Sequence, residues 1–154
     1  MHAHLLEMDA ILSAPGFFDF LADLDCDRAL DSRDAEPFDA QWMASFDEID
    51  GDPGAALDRP AVDALREKAF KLAFGASGHA GVAACVSDDI ELIARSRLSG
   101  RTDGWPTSVL WNAYRSGRFP CEPFPVASGR FACLVPIRGD RPCLRRGMHR
   151  ATRL

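Results

Sequence analysis

Five cysteines (Cys26, Cys85, Cys121, Cys133, Cys143) and four histidines are the residues best suited to metal binding or nucleophilic catalysis. Structural zinc draws its ligands from pairs roughly two to four residues apart, and these cysteines are separated by far more. Cys121, Cys133, Cys143 and His149, or His2 with His4, therefore make a poor zinc motif. A thiol nucleophile needs an imidazole within hydrogen-bond reach. Cys85 with His79, or Cys121 with His149, are the pairs from which one could be assembled. Nothing beside Cys85 in the sequence would lower its pKa, so it reads as a small buried apolar residue. Gly-x-Ser-x-Gly, His-Glu-x-x-His, a Walker-type lysine loop and Gly-x-Gly-x-x-Gly are all absent. A small hydrolase with a carboxylate or Cys/His site built from distant residues stays open as the alternative function, and no cofactor is indicated.

The densest run of oxygen ligands is Asp47-Glu48-Ile49-Asp50-Gly51-Asp52-Pro53-Gly54. An EF-hand loop wants oxygen donors at alternate early positions, a glycine at the sixth and a glutamate at the twelfth. Counted from Asp47, the third position is Ile49 and the twelfth is Asp58, so calcium spacing fails and the run reads as a solvated loop.

These groups sit in a chain of 154 residues that is 47% hydrophobic and 27% charged, enough for one globular domain with a sizeable core. The formal net charge of −5 hides a strong asymmetry. Residues 1–58 carry 15 acids against 2 bases, Arg28 and Arg33, whereas residues 121–154 carry 2 acids against 7 bases. Such a field favours partners of opposite sign at each end. The odd cysteine count in a chain large enough to need no staples points to a reducing cytoplasm. The N-terminus, interrupted by Glu7 and Asp9, is a poor signal peptide, and no stretch reaches the ~18 apolar residues of a membrane span.

Helical periodicity predicts the elements. Leu5, Met8, Ile11 and Leu12 form one amphipathic face that ends before Pro15-Gly16. Phe17, Phe18, Phe20, Leu21 and Leu24 read as core. Pro37 opens a helix carrying Phe38, Trp42 and Phe46. Asp58-Arg59-Pro60 opens another, with Asp58 as an acid cap candidate. Its buried face is predicted to hold Val62, Leu65, Ala69 and Leu72, widened by Phe70 and Phe74. After Gly78, residues 79–86 predict a short helix, and Ser87-Asp88-Asp89 marks a fresh N-terminus whose acids meet the helix dipole. From it Ile90, Ile93, Ala94 and Leu98 point inward, and Glu91, Arg95 and Arg97 outward. Read as a helix-turn-helix, that second helix would offer Asp88, Asp89 and Glu91 to phosphates, so specific nucleic-acid binding is not expected. Trp105-Pro106 starts a last helix with Val109, Leu110, Ala113 and Tyr114 inward, Trp111 turned towards a second layer or a partner, and Gly117 at its end. Prolines and glycines then exclude a long helix, and Arg130 to Val135 is a strand candidate. The expected fold is mainly α: a single compact bundle of about six short helices over residues 1–120. A Pro/Gly/Arg-rich segment, 121–154, irregular or short β, follows it.

Residues 65–120 also carry a family resemblance, through Leu65-Arg66-Glu67-Lys68-Ala69-Phe70-Lys71, Gly78-His79, Val86-Ser87-Asp88-Asp89 with Leu92-Ile93, and Trp105, Leu110-Trp111, Tyr114 and Gly117-Arg118-Phe119-Pro120. This pattern resembles small bacterial proteins that are similar to immunity partners of polymorphic toxins. The resemblance implies a non-enzymatic protein that binds a cognate toxin. A toxin acting on nucleic acid presents a basic surface, which clustered carboxylates can cover. The expected binding face comprises Asp47, Glu48, Asp50 and Asp52, with Trp42 or Trp111 as aromatic anchor.

Overall fold

The computed structural model describes residues 2–122, and these contain six α-helices and no strand. They are α1 (Ala3–Leu12), α2 (Cys26–Arg33), α3 (Phe38–Asp50), α4 (Arg59–Ser77), α5 (Ala80–Leu98) and α6 (Asn112–Arg115), with 3-10 turns at Asp19–Leu21 and Pro53–Ala56 and a π-helical turn at Pro106–Trp111. The strand predicted at Arg130 to Val135, and the Cys133, Cys143 and His149 ligand candidates, lie outside the described residues.

The two longest helices, α4 and α5, form the most extensive packing in the fold. They are joined at Gly78, whose φ of +65° is the left-handed conformation that ends a helix most readily when no Cβ is present. His79 then caps α5, its Nδ1 accepting the Val82 N–H at 3.3 Å. α1, α2, α3, the 53–56 turn and the π-turn all pack on α5 as well. Val82, Val86, Ile90, Ile93 and Ala94 of α5 are fully buried among Leu5, Met8, Leu12, Leu65, Ala69 and Leu110.

Five expectations are corrected here. No helix starts at Ser87: α5 runs through it, Ser87 Oγ donates to the Arg66 carbonyl of α4, and Asp89 is buried in mid-helix. Because neighbours cover α5 on most sides, Glu91, Arg95 and Arg97 do not point outward but form ion pairs within the packing. α3 extends through Asp50, so Asp47, Glu48 and Asp50 lie on its last turn and not in a loop. On α4 the buried stripe is Val62, Leu65, Ala69 and Ala73, leaving Phe70, Leu72 and Phe74 exposed at 37%, 42% and 45%. Asp58, offered as an α4 cap, makes no capping bond and instead accepts the His2 N–H.

Trp111 is a sixth. A π-turn sets each hydrogen bond one residue further along than an α-turn, which shifts the phase of the buried face. Val109, Leu110, Trp111, Ala113 and Tyr114 are consequently all buried, with Trp111 only 1% exposed. The ring packs beside Phe17 and beneath the Arg97 guanidinium and does not reach the surface.

Candidate protein-interaction surface

The chemistry-bearing groups are positioned by a buried polar centre. Asp89, 0% exposed, accepts Arg33 Nη2–H on Oδ1 at 2.7 Å and Arg33 Nη1–H on Oδ2 at 2.9 Å. Trp42 Nε1–H adds a bond to Oδ1 at 2.9 Å, and the Tyr114 hydroxyl one to Oδ2 at 2.6 Å. Arg33 also donates to the Pro120 carbonyl at 2.9 Å, and its guanidinium faces the Phe38 and Phe119 rings. Burial alone would lower the Arg33 pKa, but the Asp89 charge and its hydrogen bond outweigh it and hold the guanidinium firmly protonated. Burial and the adjacent Asp89 charge push the Tyr114 hydroxyl well above its ordinary range. Every acceptor direction of the carboxylate is used, so this centre ties α2, α3, α5 and α6 together and has no group left for catalysis.

Sequence reasoning did not find Arg33 as a site residue. The available signal was its isolation, one of 2 bases among 15 acids in residues 1–58.

The predicted acidic face is partly neutralised from within. Arg101 lies 3.2 Å from Glu48 and 3.9 Å from Asp52, and Arg95 lies 3.3 Å from Asp50. Asp52 also caps the 53–56 turn through the Gly54 N–H. Asp47 is exposed and has no ion pair among the described residues; the same holds for Asp31 and Asp34 at the end of α2 and Glu36 and Asp39 at the start of α3. Trp42 is half-buried, stacked on Phe46 with centroids 5.7 Å apart. Of the named residues, then, Trp42 and the four acids share the α3 side of the molecule, while Trp111 belongs to the core.

The Cys85 and His79 pairing does not make a nucleophile. His79 Nδ1 is occupied as the α5 cap, and burial raises the Cys85 thiol pKa despite the nearby Arg33, the opposite of activation. Cys26 and Cys85 are free thiols. Among the described residues no three His, Cys, Asp or Glu side chains gather as metal ligands.

A second surface feature lies between α4 and α5, an open groove of about 340 Å³ lined by Asp63, Arg66, Glu67, Phe70, Lys71 and Ser87. Phe70, on its lining, stacks nearly parallel on Phe74, at 4° and 6.2 Å between centroids.

The sequence model of the family "immunity protein PIM1" matches residues 7–121. The chain belongs to that family. The match spans α1 to α6 and so includes the Arg33–Asp89 centre, the α3 face and the α4–α5 groove of this immunity protein. No curated protein matches the chain. Among the described residues no helix is long and apolar enough to cross a membrane.

Proposed function

We propose that this immunity protein inhibits a cognate bacterial toxin in the cytoplasm by covering a basic active surface with its α2–α3 side, without cofactor or turnover. One observation carries the reading: the surplus of carboxylates is concentrated, exposed, on that side. Residues 2–122 hold 22 acids against 11 bases, and Arg33, Arg59, Arg66, Arg95, Arg97 and Arg101 each sit on a carboxylate of the same chain. Among the described residues, Asp31, Asp34, Glu36, Asp39 and Asp47 have no ion-pair partner. Glu48, Asp50 and Asp52 border this region with their charge shared, and Trp42 supplies an aromatic edge at its base. Uncompensated charge on one face raises the rate of encounter with an oppositely charged partner and makes that rate fall with salt.

The test is capture of partners on the tagged full chain from its own host at low and high salt, with the retained protein then purified and assayed. One stoichiometric basic protein, weakened in binding by salt and losing its toxic activity on titration with the chain, is the expected result. Retention of no protein at either salt removes the reading.

A further inference from the structure

The chain leaves the described residues beside the turn between α2 and α3. There the Pro120 carbonyl accepts Arg33 Nη1–H at 2.9 Å, and the Phe119 and Phe38 rings lie against the same guanidinium, 5.3 and 4.6 Å from its carbon. Pro120 is thereby held where α2 ends and α3 begins. Around that point residues 31–39 hold four acids, and their only base, Arg33, is spent on Asp89. From it Asp39, Met43 and Asp47 follow at i, i+4 and i+8, an exposed strip along α3 about 12 Å long. Met43 is 46% exposed, and neither carboxylate beside it has an ion-pair partner among the described residues. The exposed acids of α4 differ, since Asp63 and Glu67 are each paired within the helix.

Beyond Glu122 the chain continues for 32 residues, which carry seven arginines against one acid, Asp140. Five of the seven, Arg141, Arg145, Arg146, Arg150 and Arg153, fall in the last 14 residues, interleaved with Leu144 and Met148. We infer that in the free chain residues 141–154 cover the α3 strip, their arginines against Glu36, Asp39 and Asp47 and an apolar side chain against Met43, and that a toxin must displace them to bind. Three observations select this occupant. The charges are opposite, and those of the strip are not spent on neighbours. The chain exit lies at the head of the strip. The 18 residues from 123 to 140 span up to ~60 Å when extended, several times the length of the strip, so covalent reach permits the contact. Tethering raises the effective concentration of these arginines at the strip to the order of millimolar, which an untethered basic protein must outcompete. Such a cover screens the face from weakly basic partners and yields only to one that binds it more strongly. The displacement rests on the proposed inhibition of a basic toxin; the contact itself does not.

Carbodiimide couples an amine to a carboxylate in direct contact, and Lys68 and Lys71 are the only lysines of the chain. The full chain carrying Arg145→Lys and Arg150→Lys therefore reports the contact with no loss of charge. On protein shown to be monomeric by sedimentation, digestion and mass spectrometry are expected to find positions 145 or 150 joined to Glu36, Asp39 or Asp47 at low salt and not at high salt. Coupling of Lys71 to Glu67 is the internal positive control. The second arm compares wild type with the full chain carrying Arg141→Gln, Arg145→Gln, Arg146→Gln, Arg150→Gln and Arg153→Gln, its fold checked by circular dichroism, in stopped-flow association with the captured toxin. The variant is expected to associate several-fold faster at low salt, with the two rates converging at high salt. Coupling of Lys71 to Glu67 without coupling of positions 145 or 150 to the strip overturns the inference and leaves toxin inhibition standing, and so does an association rate equal to that of wild type. Coupling found only between two chains, or spread evenly over the carboxylates of every face, also overturns it. Strip coupling in a free chain that captures no protein removes toxin inhibition while the covering contact stands.

Discussion

Arg33 and Asp89 are 56 residues apart in sequence, yet the guanidinium lies fork-on-fork against the carboxylate at 2.7 and 2.9 Å, with 7% and 0% of the two residues exposed. A bidentate pair in this setting is strong only while both partners are present. Each has been taken out of water, and each relies on the other to replace its hydration.

Asp89→Asn is therefore expected to cost about 3–5 kcal/mol, because it strands the Arg33 charge in the core. Urea unfolding followed by far-UV circular dichroism reads this directly. Arg33→Met combined with Asp89→Leu should cost clearly less than the two single changes summed, since no charge is then left alone. A loss under about 1 kcal/mol for Asp89→Asn would mean that water reaches the pair.

Tyr114 is the single tyrosine of the chain, so tyrosinate absorbance reports on it alone. Its folded pKa lies above the unfolded value of about 10. The stability it contributes is then full below about pH 10 and is lost as pH rises above that towards the folded pKa. Native protein should show no tyrosinate near pH 10 while urea-unfolded protein is half ionised there. Tyr114→Phe should flatten the fall in stability over that interval. Coincident titration curves for the native and unfolded protein would contradict the burial of the hydroxyl.

Two glycines of the α4 region should respond to alanine with opposite signs. Gly75 lies inside the helix with open space where a Cβ would stand, so Gly75→Ala should stabilise by about 0.5–1 kcal/mol. Gly78 has equal space but a φ of +65°, so Gly78→Ala should destabilise by about 1 kcal/mol. Thermal melts of the two variants beside wild type decide it; a shift of the same sign in both would show that the turn relaxes out of the left-handed conformation.

On the α2–α3 side, carboxylates differ in how much of their charge is free. Asp34→Asn with Asp47→Asn should slow association with the captured toxin several-fold at low salt and flatten its salt dependence. Glu48→Gln with Asp50→Asn should do less, because Arg101 and Arg95 already share those charges. Stopped-flow association at two ionic strengths separates the cases. An unchanged low-salt rate for the first pair would remove that face from the interface.

Much of this protein was determined by sequence acting over a few residues. The apolar spacing of α1, the start of α3 after Pro37, the span of α4 to its glycine stop, the turn after Asp52 and the core role of Leu110 and Tyr114 all follow from local period, capping and backbone preference. The family resemblance carried by residues 65–120 lies within the match over residues 7–121. Those signals are strong because their physical causes, helix phase and turn geometry, lie within one or two turns of chain. They misled at Ser87-Asp88-Asp89, where a sound capping signature lies in the middle of α5. There Arg33, Trp42 and Tyr114, all distant in sequence, supply Asp89 with partners that no local rule contains. The same limit applies to the aromatics. Nothing within α4 distinguishes Ala73 from Phe74 until neighbouring helices cover one face and leave the other, and nothing within residues 106–111 places Trp111 in the core beside Leu110 until the π-turn and its neighbours bury both. Which charges cancel and which rings stay exposed is a property of what packs against them, and that was decided only by the tertiary structure.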